Sequence, residues 1–429
     1  MSHSPTISFS NALMICVNTI IGAGFFVNIH PLMKNAGYLG FLGYVAAFIV
    51  MLPSMIVIAR FAQERPVSAG IYNYPREFLS PAWGFLSGWS YFVGKSATVA
   101  LLTHALVLFL LQNNLLSGAF TPLTYDLILV LLLGGLNMAG VSIGGRIQWL
   151  FTGLKAIPFT AILVGGGLFL TKNGLPANIS FPPDFSFQTL LPLALFAFSG
   201  FESICAIGDK IENAKQNAFR VIMLAGCIVL ALYVFLQSSV TFVLEGACSQ
   251  GPAALVEFVQ KTFASSFLGG IIVNAAFISV LSGIFSNLAN NSWNFHALAR
   301  DGFFPFKSVL TKTNKSAVPW TALLLKISLI IILLYFTQQQ VPLQNISVAC
   351  VTISYMLNLA AAISGRSSAR INQVHPAIAS TGILFCFGIL GFCYKNIALY
   401  GLSIPFISIF VTGIVIAAGY KQFCTPQSL

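Results

Sequence analysis

Uninterrupted apolar runs of about 20 residues recur along the chain, and their length is what most limits its fold. A helix rises about 1.5 Å per residue, so each run is as long as the ~30 Å hydrocarbon core of a bilayer is thick. Twelve spans are predicted, at 9–28, 38–60, 82–112, 123–140, 147–171, 188–208, 218–244, 265–299, 319–337, 345–364, 377–394 and 398–420. A β-barrel would alternate polar and apolar residues over segments of about ten, and these runs do not alternate. Composition agrees: 57% of residues are hydrophobic and 7% charged, against roughly 25% charged in an ordinary soluble domain. The reading is an all-α polytopic membrane protein. The stretch "MSHSPTISFSNALMICV" has neither a basic leader nor a small-residue cleavage pattern, so a retained first helix is expected.

Twelve spans return both termini to one side. Lys and Arg number fourteen in the loops of that side and four in the loops of the other, with Lys95, Lys155 and Lys326 inside spans. The positive-inside rule then places both termini in the cytoplasm of a cell (inner) membrane. This asymmetry absorbs most of the net charge of +11. The basic residues are scattered singly and form no stripe, so no nucleic-acid partner is expected. The eight cysteines contain no CxxC pair and are read as structural. The histidines have no ligand spacing, and neither a metal nor a cofactor is expected.

The first span places Gly22 and Gly24 at its centre, in "NTIIGAGFF". Non-helical backbone at membrane depth is tolerated only where protein or a water-filled cavity satisfies its freed groups. Small residues there also suit close helix packing, and this segment alone does not separate the two. The sixth span adds "LFAFSGFESI", 195–204, again with a central glycine and now with Glu202 beside it. Glycine-interrupted segments at matching places in two halves point to a transporter's binding site. Freed amides suit a carboxylate and freed carbonyls an ammonium group. Together they suit a zwitterion.

Four segments resemble the amino acid–polyamine–organocation family of permeases: "IIGAGFF", "ARFAQERPVSAGIYNYPREFLSPAWGFLSGWSYF" at 59–92, "FSGFES", and "ARDGFFP" at 299–305. They occur in the family's order over most of the chain. The resemblance implies a single transmembrane unit with a five-plus-five inverted repeat, 9–171 and 188–364, discontinuous helices 1 and 6, and two additional helices over 377–420. It implies an amino acid substrate and alternating access. Amides around Gly22, Ala23 and Gly24 would hold the substrate carboxylate, and carbonyls of Ile20, Phe196 and Ser199 its ammonium. Phe196 stands where arginine/agmatine antiporters of the family close an aromatic over the substrate. One departure is "DKIENAKQNAFR", 209–220, where the family usually carries prolines.

An ionisable group at the centre of a span costs about 2.5–3.5 kcal/mol on insertion scales, so each needs a reason. Glu202, read as the one acid well inside a span, could hold the unwound segment or exchange a proton. Lys155, in "GLKAIPF", matches a lysine of proton-coupled relatives that lies beside the first helix; otherwise it snorkels to the nearby surface. Lys95, in "YFVGKSATVA", either lines the cavity, disfavouring cationic substrates, or pairs with Glu202. Lys326 is expected to snorkel or face lipid. Asn287 aligns near a gating aromatic of the antiporters and completes the candidate substrate site. The predicted function is secondary transport of an amino acid, by proton symport or by exchange for an amino acid or amine. No Walker A pattern suggests an ATPase engine. No ring of like charges suggests a channel, and no acid, base or metal cluster suggests a membrane enzyme. Monomer and homodimer remain open.

Overall fold

The computed structural model describes residues 7–21, 24–65, 70–113, 115–140, 145–174, 179–206, 211–245, 253–263, 266–316, 318–367 and 374–418. Within them the backbone forms sixteen α-helices and no extended strand. The helices are α1 (Phe9–Ile20), α2 (Gly24–Ala36), α3 (Phe41–Glu64), α4 (Gly70–Phe78), α5 (Pro81–Gln112) and α6 (Pro122–Met138). There follow α7 (Gly145–Asn173), α8 (Phe187–Phe198), α9 (Ala214–Val243), α10 (Ala253–Thr262) and α11 (Ser266–Arg300). The chain ends through α12 (Lys307–Leu310), α13 (Trp320–Phe336), α14 (Gln340–Ser367), α15 (Pro376–Leu399) and α16 (Ser403–Ala418).

Local chemistry explains several starts. Ser80, Thr121 and Ser186 precede apolar runs, and each hydroxyl accepts the amide three residues on, satisfying a donor the helix cannot. Pro81 and Pro122 then occupy the opening of α5 and α6, where a missing N–H costs nothing.

By length and apolarity, eight helical stretches among the described residues are each able to cross a bilayer, and α1 with α2, bent by 45° at their junction, makes a ninth candidate. The remaining runs form α6 and α13, of 17 residues, and α16, of 16. At 1.5 Å per residue these reach about 25 Å, the lower end of what spans a bilayer. The outer surface is apolar: Ile404 is 78% exposed and Leu384 70%. Side chains of that kind in such number face lipid rather than water.

α5 and α14 pack along each other, α3 lies on α9, and α11 crosses both α5 and α7. α13 packs on α5, α6 and α11. This last contact overturns the expectation for Lys326, whose side chain is fully buried and donates to the main-chain carbonyl of Asn287 on α11. α13 is apolar all round, so its sequence carries no periodicity to show which face turns inward.

Two features tie helix ends together. Ile7, just before α1, forms an isolated parallel bridge with Ile211, and the Glu212 amide donates to the Ile7 carbonyl at 2.9 Å. The entry to the first span is thus bonded to the segment that follows the sixth. Asp301, in the turn after α11, accepts the Tyr72 hydroxyl at 2.8 Å and the Arg76 guanidinium at 2.6 Å. That cluster fastens α4 to the end of α11.

Candidate functional site

The helical ladder stops in both the "NTIIGAGFF" and the "LFAFSGFESI" segments. α1 ends at Ile20 and α2 begins at Gly24; Gly22 and Ala23 lie outside the described residues. α8 ends at Phe198, Ser199 is extended, Gly200 has φ +140°, and a short 3-10 helix runs from Phe201 to Ala206. A φ of that sign and size is glycine territory.

The two breaks lie against each other. A Cβ on Gly200 would stand 2.8 Å from the Thr19 carbonyl oxygen and 3.3 Å from Ile20 Cα. A Cβ on Gly24 would stand 3.0 Å from Ala197 Cα. Both glycines therefore serve close approach of two main chains, and Gly200 serves conformation as well. Tyr233 of α9, fully buried, directs its hydroxyl to the carbonyls of Ile20, 3.1 Å, and Ala197, 3.2 Å. One phenol has one proton, so it serves one carbonyl at a time and links the ends of α1 and α8. The carbonyl of Phe196 already accepts the Ser199 amide and hydroxyl, at 3.3 and 3.0 Å. The Phe196 ring is buried.

Glu202 sits two residues beyond Gly200 and is 2% exposed. Its Oε1 is 2.9 Å from Lys95 Nζ and accepts the Tyr91 hydroxyl at 3.0 Å. Its Oε2 accepts the Tyr355 hydroxyl at 2.8 Å and the Gly200 amide at 2.8 Å. Of the two expectations for Lys95, the structure makes the ion pair. The carboxylate closes around the break and fastens it to α5 and α14. A charge at that depth is tolerable because four donors replace its water.

Tyr91 and Tyr355 were not legible as partners of Glu202, although Tyr91 stands four residues before Lys95 on one helix face. The Lys95 ammonium lies 5.2 Å from the centroid of that ring, within cation–π range.

Lys155 is 7% exposed on α7, so it does not snorkel to the surface. Phe159, one turn on, stacks on Phe26 with centroids 5.2 Å apart and meets Phe25 edge-on at 5.7 Å. Since i and i+4 share a helix face, Lys155 lies one turn from this contact with the start of α2. No described residue forms an ion pair with it. Asn287 is partly buried, and no described contact joins it to the breaks; its carbonyl takes the Lys326 ammonium.

Glu202 is also not alone as a buried acid. Asp126 of α6 is fully buried, with Oδ2 2.8 Å from His104 Nδ1. It stands near the start of α6. His104 also lines a cavity of about 290 Å³ with Phe26, His30, Lys34, Phe277 and Gln340. This space lies past the first break, toward the far end of α2.

A model of the amino acid permease family matches residues 11–422. The serine/threonine exchanger SteT of Bacillus subtilis is 26% identical over 396 residues, 88% of this chain and 89% of the exchanger. The amino-acid permease RocE of the same organism is 26% identical over 341 residues, 74% of this chain and 70% of RocE. The lysine-specific permease LysP of Lactococcus lactis is 25% identical over 341 residues, 72% of this chain and 65% of LysP.

Proposed function

The chain belongs to the amino acid permease family, transporters rather than enzymes, and from that premise we propose that it carries an amino acid across the cell membrane by alternating access around the two helix breaks. The observation that supports this most is the meeting of the breaks: two interrupted helices approach main chain to main chain at Gly24 and Gly200. That approach brings main-chain groups released from both helical ladders into one buried place, which is what a zwitterion needs.

In this reading the chain has twelve spans. Residues 9–171 and 188–364 form two inverted repeats, 377–420 add two helices, and both termini are cytoplasmic. Amides of Gly22, Ala23 and Gly24, at the start of α2, take the substrate carboxylate. Carbonyls of Ile20, Phe196 and Ser199 take its ammonium when local hydrogen bonds exchange for substrate. Lys95 forms the wall on α5, and Asn287 is the contribution of α11. Of the two groups assigned to the proton, Lys155 carries the coupling. Its side chain is buried one helical turn from the Phe159 contact with α2 and has no carboxylate partner among the described residues, and a lysine so placed can give up its proton during a transport cycle. Glu202, with both oxygens engaged, anchors the sixth span.

Exchange is the second reading. It is favoured by the similarity to a serine/threonine exchanger over 88% of the chain. Purified protein in liposomes, challenged with all twenty amino acids as competitors, tests the transport itself. An inward proton gradient should accelerate uptake into empty vesicles if symport operates. Uptake that needs internal amino acid and ignores the gradient identifies exchange, and the absence of any amino acid uptake overturns the proposal.

A further inference from the structure

We propose that the site selects amino acids of zero net charge, because Lys95 and Glu202 cancel each other beside the breaks and leave no formal charge for a substrate side chain. The inference rests on the reading above, in which the breaks hold the substrate.

A carboxylate offers about four acceptor directions. Those of Glu202 are filled by Lys95, Tyr91, Tyr355 and the Gly200 amide. A substrate guanidinium or side-chain ammonium would find no free acceptor there. Lys95 keeps two N–H directions, but a second carboxylate brought to it would also meet Glu202, 2.9 Å from the same ammonium. The two side chains are 8% and 0% exposed. Water therefore does little to mask an added charge, and an unpaired ion in such a place is costly.

The other charges on the framing elements are spoken for or remote. His30 and Lys34 stand toward the far end of α2. His104 is nine residues beyond Lys95 on α5, about 14 Å along the axis, and is bonded to Asp126. Lys326 enters from α13 and binds a carbonyl of α11. Lys155 is the coupling group of the transport cycle. Along α1 and α8 there is no charged side chain, and α14 carries only Arg366, one residue before its end. A neutral side chain is thus the one that leaves the buried electrostatics balanced.

Glu202 also decides which end of the substrate goes where. Its own carboxylate occupies the Gly200 amide, the first donor freed by the sixth-span break. The substrate carboxylate is left to the first-span break, at the start of α2.

The test uses full-length protein in liposomes and a competition series of alanine, serine, leucine, lysine, arginine, aspartate and glutamate. In the wild type, neutral amino acids should compete at least tenfold better than either charged class. Lys95→Met leaves the Glu202 charge uncompensated and should bring lysine and arginine to within threefold of the best neutral competitor. Glu202→Gln should do the same for aspartate and glutamate. The double variant Lys95→Met/Glu202→Gln should return the preference to neutral amino acids. Wild-type protein that takes lysine or glutamate as well as alanine overturns the inference while leaving amino acid transport intact, and that measurement does not depend on any variant folding. Inserted, folded single variants that keep the wild-type charge preference overturn it as well. Competition by no amino acid at all would instead strike the functional reading beneath it.

Discussion

Gly200 shows how much one residue holds in place here. Its φ of +140° and the main chain of Thr19 within 2.8 Å of its missing Cβ leave no room for a side chain. Gly200→Ala should retain membrane insertion, lose at least tenfold in transport and unfold earlier in detergent, since such strain costs on the order of 1–3 kcal/mol. Substrate binding and thermal unfolding of the purified variant check both. The glycine was visible in the sequence as a break; that its Cα would rest on the first span was not, because a contact between residues 181 positions apart leaves no local trace. Lys155 poses the opposite problem. Its depth could be read only as one of two alternatives, and burial beside Phe159 separates them. Lys155→Met should abolish acceleration of uptake by an inward proton gradient while sparing substrate binding, and a gradient response equal to the wild type would remove it from the coupling role.

Among the elements, α4 and the end of α11 matter because a three-residue cluster joins them. Tyr72 and Arg76 converge on Asp301, and hydrogen bonds to a charged group contribute about 1.5–3 kcal/mol. Asp301→Asn should lower the melting temperature and raise the rate of protease cutting. Burial and the neighbouring Asp301 push the Tyr72 phenol above its usual range. A group whose folded pKa is raised binds its proton more tightly when folded. Its contribution is therefore complete below about pH 10, the ordinary tyrosine value, and is lost as pH rises beyond it. A melting curve flat in this respect from pH 5 to 9, and steeper in its alkaline loss than that of Tyr72→Phe, is the expected result. The elements themselves were largely legible: most of the predicted apolar runs fall on helices, eight or nine of them long and apolar enough to cross a bilayer among the described residues, because length and apolarity are local properties. The orientation of α13 was not, since a helix apolar on every side gives no face away.

For the whole molecule, loop charge is the one source of sidedness. A cysteine placed at Ser117, between α5 and α6, should react with an impermeant maleimide added to intact cells, and one at Lys312 only after lysis. The reverse pattern would invert the orientation without altering the site. What the sequence by itself determined is the class, the helical runs, the two interrupted spans and the family. Each depends on composition or on residues close together along the chain. What only the tertiary structure decided is pairing: Glu202 with Lys95, Tyr91 and Tyr355, Tyr233 across both breaks, His104 with Asp126, and Lys326 on a carbonyl of α11. In a low-dielectric interior a polar group must find its partner wherever the fold supplies one, and a linear sequence does not record which distant helix that will be.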